Sequence, residues 1–534
     1  MSTNTPSFDY IVVGAGSAGC VVANRLTAAG HSVCLVEAGP ADSSPLIHIP
    51  FGIIGLIREG KHNWGYYTEP EPHLNHRRLY WPRGKTLGGS SSINAMVYIR
   101  GNPADYDEWA AAGNLGWAWN DLFPLFMALE NNERGGDALH GTGGDLNVAD
   151  VRDVNPLSQI FIDAGRECGF HVNTDFNGER QDGIGFYQVT QKDGLRFSSA
   201  KAFLTPVKAR SNLTILTGAH ATRILLDGKR AVGIEIRQGG ATRQIKATRE
   251  VVLCGGAINS PQLLMLSGIG PREEISRQGI NVAHELPGVG KNLQDHLDIT
   301  LMIRETSKRA ISLSLSALPK MCIDLFRFIF LRRGVLSSNA SEAGGFVGLP
   351  GEPADRPGIQ LHFIPSFLRD HGRELTPGYG CTIHACQLRP KSRGEIGLLS
   401  ADPLAAPRIQ PNYLSHPDDV RAMLEAFALV RRMFASRAFT AINGGEDAPG
   451  SGVQKEEDII ADIRARAETI YHPAGTCRMG VDDMAVVDPQ LRVRGIDGLR
   501  VADASIMPTL IGGNTNAPCM VIGAKCAEMM LTSC

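Results

Sequence analysis

The stretch Tyr10 to Ala38, YIVVGAGSAGCVVANRLTAAGHSVCLVEA, constrains this chain more than any other. An apolar run is followed by Gly14-x-Gly16-x-x-Gly19, an alanine-rich helical pattern, a second apolar run and Glu37. Strand, glycine turn, helix, strand and acid in that order predict a dinucleotide-binding βαβ unit. Gly14 permits the tight turn, Gly16 lets the backbone approach a pyrophosphate, and Gly19 lets helix and strand pack closely. The helix N-terminus, with Ser17 and Ala18, offers free N–H groups to that pyrophosphate. Glu37, followed by Ala38, suits a ribose diol. The unit does not distinguish FAD from NAD.

A chain of 534 residues is too long for one compact core, so two domains or one elaborated domain are expected. The net charge of −2, with both signs interspersed, leaves no electrostatic footprint for nucleic acid. The first residues lack a basic and apolar leader, and no apolar run is long enough to cross a bilayer. Eleven cysteines without a paired framework or a CxxC spacing point to reduced thiols, no metal site and a cytoplasmic protein. Two apolar segments, Leu46 to Ile57 and Met321 to Leu331, are expected in the core or over the entrance to a site. The second, ending in Arg332 and Arg333, also suits an in-plane membrane contact.

A second glycine-rich loop follows in Trp81 to Asp107, WPRGKTLGGSSSINAMVYIRGNPADYD. Its glycines exclude a regular element, and its N–H groups with Arg83 and Lys85 can cradle a phosphate or a ring carbonyl. Trp81, Ile93, Met96 and Val97 would be wasted in a solvated tether. Further along, Glu250 to Cys254 reads as a buried strand, Gly255-Gly256 as a turn, and Asn259-Ser260-Pro261 as the capped start of a helix. From about Thr300 to Ala465 alternating strand-like runs suggest an antiparallel sheet with helices. Near the C-terminus Leu499 to Ala502 reads as a short strand ending at Asp503, with a helix over Cys519 to Leu531. His472 lies in a His-Pro turn rather than on an apolar face.

GKTLGGSSSINAMVYIRGNPADYD and GAINSPQLLMLSGIG resemble the two signatures of the glucose-methanol-choline (GMC) flavin oxidoreductases. DYIVVGAGSAGCVVANRL, YHPAGTCRMG and LRVADASIMP extend the resemblance over nearly the whole chain. It is strongest to bacterial membrane-linked FAD alcohol dehydrogenases and to choline and polyethylene glycol dehydrogenases. The resemblance implies an α/β (α+β overall) fold: a Rossmann-like FAD-binding domain from residues 1–154, 195–299 and 466–534, and a substrate domain from 155–194 and 300–465 on an antiparallel sheet flanked by helices.

It also assigns residues. Gly14, Gly16, Ser17, Ala18, Gly19, Glu37 and Ala38 would hold the adenosine diphosphate half of FAD, and Ala221 the adenine through its backbone. Arg83, Gly84, Leu87, Gly88, Gly89, Ser90, Asn94, Ala95, Met96 and Val97 would line the flavin together with Tyr471. Asp503 and Ala504 would lie at the ribityl-phosphate region. Ile93 stands where some members carry the histidine that bonds FAD covalently, so non-covalent FAD is implied. His472 would take the hydroxyl proton of an alcohol as hydride passes to flavin N5, with Asn514 holding the substrate oxygen and Asn516 nearer the ring. The implied reaction is oxidation of a primary, uncharged aliphatic alcohol to an aldehyde. Its partners are a quinone or other non-oxygen acceptor and the inner face of the cytoplasmic membrane. Choline or polyethylene glycol as substrate, oxygen as acceptor, and a non-catalytic flavin-binding protein are the alternatives.

Overall fold

The computed structural model describes residues 5–532 apart from Leu313, Ala354 and Leu375. Two seven-stranded sheets organise these residues. In the first, Ser7–Val13 lies between Val33–Val36 and Ala241–Leu253, parallel to both, and Leu213–Leu216 continues the parallel set beyond Val33–Val36. Tyr10 to Val13 and Val33 to Val36 are all buried, as strands covered on both faces must be. Ala219–Asp227 and Arg230–Gln238 form a hairpin around Asp227-Gly228, antiparallel on one side of Ala241–Leu253. The late strand Leu499–Val501 pairs in parallel with the other half of that strand, Val251 opposite Leu499. The helix Ser17–Ala28 packs on the helix Asn516–Thr532, where a Cβ on Gly523 would stand 2.5 Å from the Ala18 carbonyl oxygen.

The second sheet is antiparallel throughout. Its order is Asn443–Ala448, Leu297–Glu305, Gly380–Gln387, Ile359–Ile364, Ala343–Val347 and Gly183–Phe186, with Glu468–Thr469 paired to the start of Leu297–Glu305. One face packs under the helices Pro156–Glu167 and Pro417–Phe434, the latter burying Met423, Phe427, Val430 and Met433. The other faces a cavity shared with the first sheet, into which His362, Ile364 and His384 project.

Two element boundaries differ from the sequence reading. The second glycine-turn helix runs from Gly256 to Leu266, so Asn259 and Ser260 lie inside it. Ser260 accepts from the Gly255 N–H and donates to Asp503, which ties the turn down without a cap. Pro261 frees the Ala257 carbonyl four residues earlier, and the Thr476 hydroxyl bonds to it at 2.6 Å. The final helix begins at Asn516, three residues before Cys519.

The two apolar segments part company. Ile47 and Leu56 are buried, and Phe51, Ile53 and Ile54 line the cavity. The helix Leu318–Leu331 buries only Asp324 and Phe328 and turns Leu318, Met321, Ile323, Leu325, Phe326, Ile329, Phe330 and Leu331 to solvent. Expected as core or entrance cover, it is instead an exposed apolar surface. No helix among the described residues is long and apolar enough to cross a membrane.

Candidate active site

A cavity of about 660 Å³ runs from the first glycine turn to the face of the antiparallel sheet. At its first end each glycine of the turn has a distinct environment. Gly14 has φ +104°, and a Cβ there would lie 2.4 Å from the Cys254 carbonyl oxygen. A Cβ on Gly19 would lie 2.0 Å from the Gly14 carbonyl oxygen, so helix and strand approach as only glycine allows. A Cβ on Gly16 would meet nothing nearer than 3.9 Å and would stand in the cavity itself. The second loop seats on the first: Gly88 N–H donates to the Ala15 carbonyl at 2.7 Å, and a Cβ on Gly89 (φ +52°) would lie 2.8 Å from Gly16 Cα.

The cavity therefore has a wall of bare backbone at the start of a helix, shaped for a group that comes within contact of main-chain atoms. Such a wall fits the pyrophosphate of FAD. Glu37 lies buried beside it, accepting from Ala15 N–H at 3.0 Å and Gly39 N–H at 2.8 Å, and burial pushes its carboxyl up to about 7.

Ser17, Ala18, Ala38, Arg83, Gly84, Ser90, Asn94, Ala95, Met96, Val97, Ala221, Tyr471, Asp503, Ala504 and Asn516 also line this cavity, whereas Gly19, Leu87 and Gly88 do not. Asn516 accepts from the Ser17 hydroxyl at 2.7 Å, which places it at the glycine turn. Asp503 has both oxygens occupied, by Gly256 N–H and the Ser260 hydroxyl on one side and Ser505 N–H on the other, so it clamps the second glycine turn. Arg83 donates to the Tyr471 carbonyl at 2.7 Å and so joins the second loop to the histidine loop.

The other end is built from side chains far apart in sequence. His472 and Asn514 meet there, Asn514 Nδ2 3.3 Å from His472 Nε2. Gln360 donates to Asn514 Oδ1 at 3.0 Å and orients the amide. The His472 backbone N–H donates to Asp295 Oδ1 at 2.7 Å, and Asp295 Oδ2 accepts from the hydroxyls of Tyr413 and Thr469. His472 Nδ1 lies 3.0 Å from His296 Nδ1, with the rings perpendicular. Burial, and then the neighbouring His296, hold the His472 imidazole well below its usual range, so it is neutral and carries a free lone pair.

Around this pair the wall is largely apolar, with Phe51, Ile53, Ile54, Ile311, Phe367 and Leu368. The buried carboxylate nearby, Asp298, is engaged by His384 Nδ1 at 2.6 Å and approached by His371 Nε2 at 3.4 Å. Sequence reasoning missed Asp295, His296 and Gln360. Asp295 and His296 lie in QDHLDITL, a run that by itself says nothing of which residue it faces across the fold.

Comparison with known proteins accords with this arrangement. Family models described as GMC oxidoreductase match residues 8–298 and 390–523. The chain is 53% identical over 528 residues to an alcohol dehydrogenase [acceptor] of Pseudomonas putida, covering 98% of this chain and 96% of that protein. It is 42% identical to an oxygen-dependent choline dehydrogenase of Rhizobium etli, covering 98% and 95%. Among solved structures, pyridoxine 4-oxidase from Mesorbium loti superposes with a TM-score of 0.87 at 30% identity over 98% of this chain and 99% of that one. Formate oxidase of Aspergillus oryzae, whose structure concerns FAD modification, reaches 0.93 at 28% identity over 100% and 99%. The chain belongs to the GMC oxidoreductase family.

Proposed function

We propose that this FAD-dependent oxidoreductase converts a primary, uncharged aliphatic alcohol to its aldehyde. The observation that carries the reading is the neutral His472 with its Nε2 turned to the Asn514 amide in a mostly apolar wall. An alcohol oxygen placed against both side chains gives its proton to His472 Nε2 and accepts a hydrogen bond from Asn514 Nδ2. Asn514 has no titratable group and acts only by holding that oxygen, while Gln360 keeps its amide turned the right way. Bound FAD supplies the acceptor for the hydride that leaves the carbinol carbon. The glycine turns, Ser17 and Arg83 would hold and align it, and Ile93, which lines the cavity, offers no nucleophilic group, which supports non-covalent attachment.

An uncharged substrate is supported by the state of Asp298. A quaternary ammonium needs a free carboxylate or an aromatic cage; Asp298 is 1% exposed and engaged by His384, while the cavity-lining Glu374 is solvent-exposed. A quinone or other non-oxygen acceptor is supported by the likeness to the alcohol dehydrogenase [acceptor]. The helix Leu318–Leu331 favours working at a membrane surface on the cytoplasmic side. Its eight exposed apolar side chains are accompanied by Lys320, Arg327, Arg332 and Arg333, a pairing that suits in-plane contact with anionic lipid.

The test is anaerobic bleaching of the bound flavin by a series of 1-alkanols against choline, followed by turnover in air. Faster bleaching by choline than by any alkanol refutes the substrate class. Stoichiometric peroxide refutes the acceptor. Retention of the holoenzyme on vesicles containing phosphatidylglycerol, lost in a Phe326→Ser, Phe330→Ser variant, tests the membrane contact.

A further inference from the structure

We infer that His296 is a positioning residue for this reaction, holding His472 in the tautomer whose free lone pair lies at Nε2, on the side of Asn514. The inference rests on the reading of His472 as the base. His296 Nε2 lies 3.0 Å from the Leu388 carbonyl oxygen. A carbonyl oxygen only accepts, so the proton of neutral His296 sits on Nε2 and Nδ1 carries the lone pair. That Nδ1 faces His472 Nδ1 at 3.0 Å, and two lone pairs cannot face each other at that distance. His472 Nδ1 therefore bears the proton and donates it, which leaves Nε2 bare at the cavity.

His296 is 0% exposed, and burial presses its own proton affinity down to about 3, so a cationic His296 does not scramble this order. The two residues before Leu297 share the work. Asp295 fixes the His472 backbone through its N–H, and His296 fixes the ring.

The chemical difference from a histidine backed by a carboxylate is the absent negative charge. A neutral imidazole stabilises the His472 imidazolium only through one charge-assisted hydrogen bond. Little is done to raise the resting proton affinity of His472, and the proton taken from the hydroxyl stays on Nε2. As the alcohol is oxidised its O–H proton passes to His472 and its carbinol hydrogen leaves with two electrons; nothing is transferred to His296.

Two variants separate positioning from packing. In His296→Asn the side-chain oxygen stands near the former Nδ1 position and can accept from His472 Nδ1–H, although the amide does not reach the Leu388 carbonyl. In His296→Leu, of similar volume, neither bond exists. With both purified as holoenzymes of normal flavin content, anaerobic stopped-flow reduction by a 1-alkanol is expected within about tenfold of wild type for Asn and slower by roughly 10²–10³-fold for Leu. His296→Asp puts a charge opposite the His472 Nδ1–H and is expected to move the acid limb of kcat/KM up by at least about one pH unit. A mere packing role moves no limb.

Equal rates for Leu and Asn, or an unmoved limb in the Asp variant, overturn the inference. His472→Ala run in parallel distinguishes the two levels. If it bleaches at the wild-type rate the base assignment itself fails, and if it is slow while His296→Leu is fast, only the role of His296 fails. Should the Leu variant lose FAD, the Asn rate and the Asp limb decide the matter.

Discussion

The two ends of the cavity are made of different material. The end at Gly14 to Glu37 is backbone: turns held at positive φ, N–H groups at a helix start, and one buried acid that shares its oxygens with Ala15 and Gly39. The end at His472 is side chain on side chain, drawn from Asp295, His296, Gln360, His472 and Asn514. The first recognises a shape common to any dinucleotide and leaves no room for a Cβ at Gly14 or Gly19. The second does acid–base work and depends on which nitrogen carries a proton. Burial disfavours charge at both ends, and at the second it also raises Asp295, to about 6. Burial raises Glu37 to about 7, whereas His296, His362 and His472 are held low.

The contrast is broken or sharpened most strongly at Gly14. Gly14→Ala adds a Cβ 2.4 Å from a carbonyl oxygen at φ +104°, so the variant is expected to yield no flavin-loaded protein, read from the ratio of flavin to protein absorbance. His472→Ala should leave flavin content intact and lower kcat/KM by roughly 10²–10⁴-fold. Asn514→Ala should cost about a hundredfold, since it removes one oriented donor and no base. Loss of flavin in either would mean that the two ends are not separable.

Stability against pH is the third measure. A histidine whose folded-state proton affinity is depressed is neutral when folded and charged when unfolded. It therefore costs stability as pH falls below about 6.5, by about 1.4 kcal/mol per pH unit for each such group. Glu37 has the opposite sign. Its contribution is present below about 4.3 and is lost as pH rises through about 7. Denaturant midpoints between pH 5 and 8 should thus rise less steeply with pH once His362, one of the three low histidines, is replaced by Gln. The smallest effect belongs to Ser17→Ala, which deletes one hydrogen bond to Asn516 and should weaken FAD retention by less than about tenfold, near 1 kcal/mol.

How much of this was legible in the sequence follows from the same division. The first end is contiguous, and its demands on Gly14, Gly16 and Gly19 are local, so pattern alone predicts it. The strand before Gly255 was readable for the same reason. The meeting of His472 with Asn514 was reached only through resemblance, since 42 residues separate them. Neither pattern nor resemblance assigned His296, because its partner lies 176 residues away and its tautomer depends on a carbonyl on a third segment. The exposed helix Leu318–Leu331 was misplaced because a nearly all-round apolar sequence reads as core until its neighbours are known.

The pairing of Leu499–Val501 with Ala241–Leu253 has a consequence for biosynthesis. Ala241–Leu253 leaves the ribosome about 250 residues before its parallel neighbour, and at typical elongation rates of about 5–20 residues per second that is a wait of some tens of seconds or less. During that interval the glycine turn already exists, yet Asp503, Asn516 and the histidine loop that close the cavity do not. The cavity therefore has its full lining only once Cys519 has been made, and until Leu499–Val501 is made Val251–Leu253 lacks that parallel neighbour. Slowing translation over the last hundred codons lengthens the period in which that neighbour is missing.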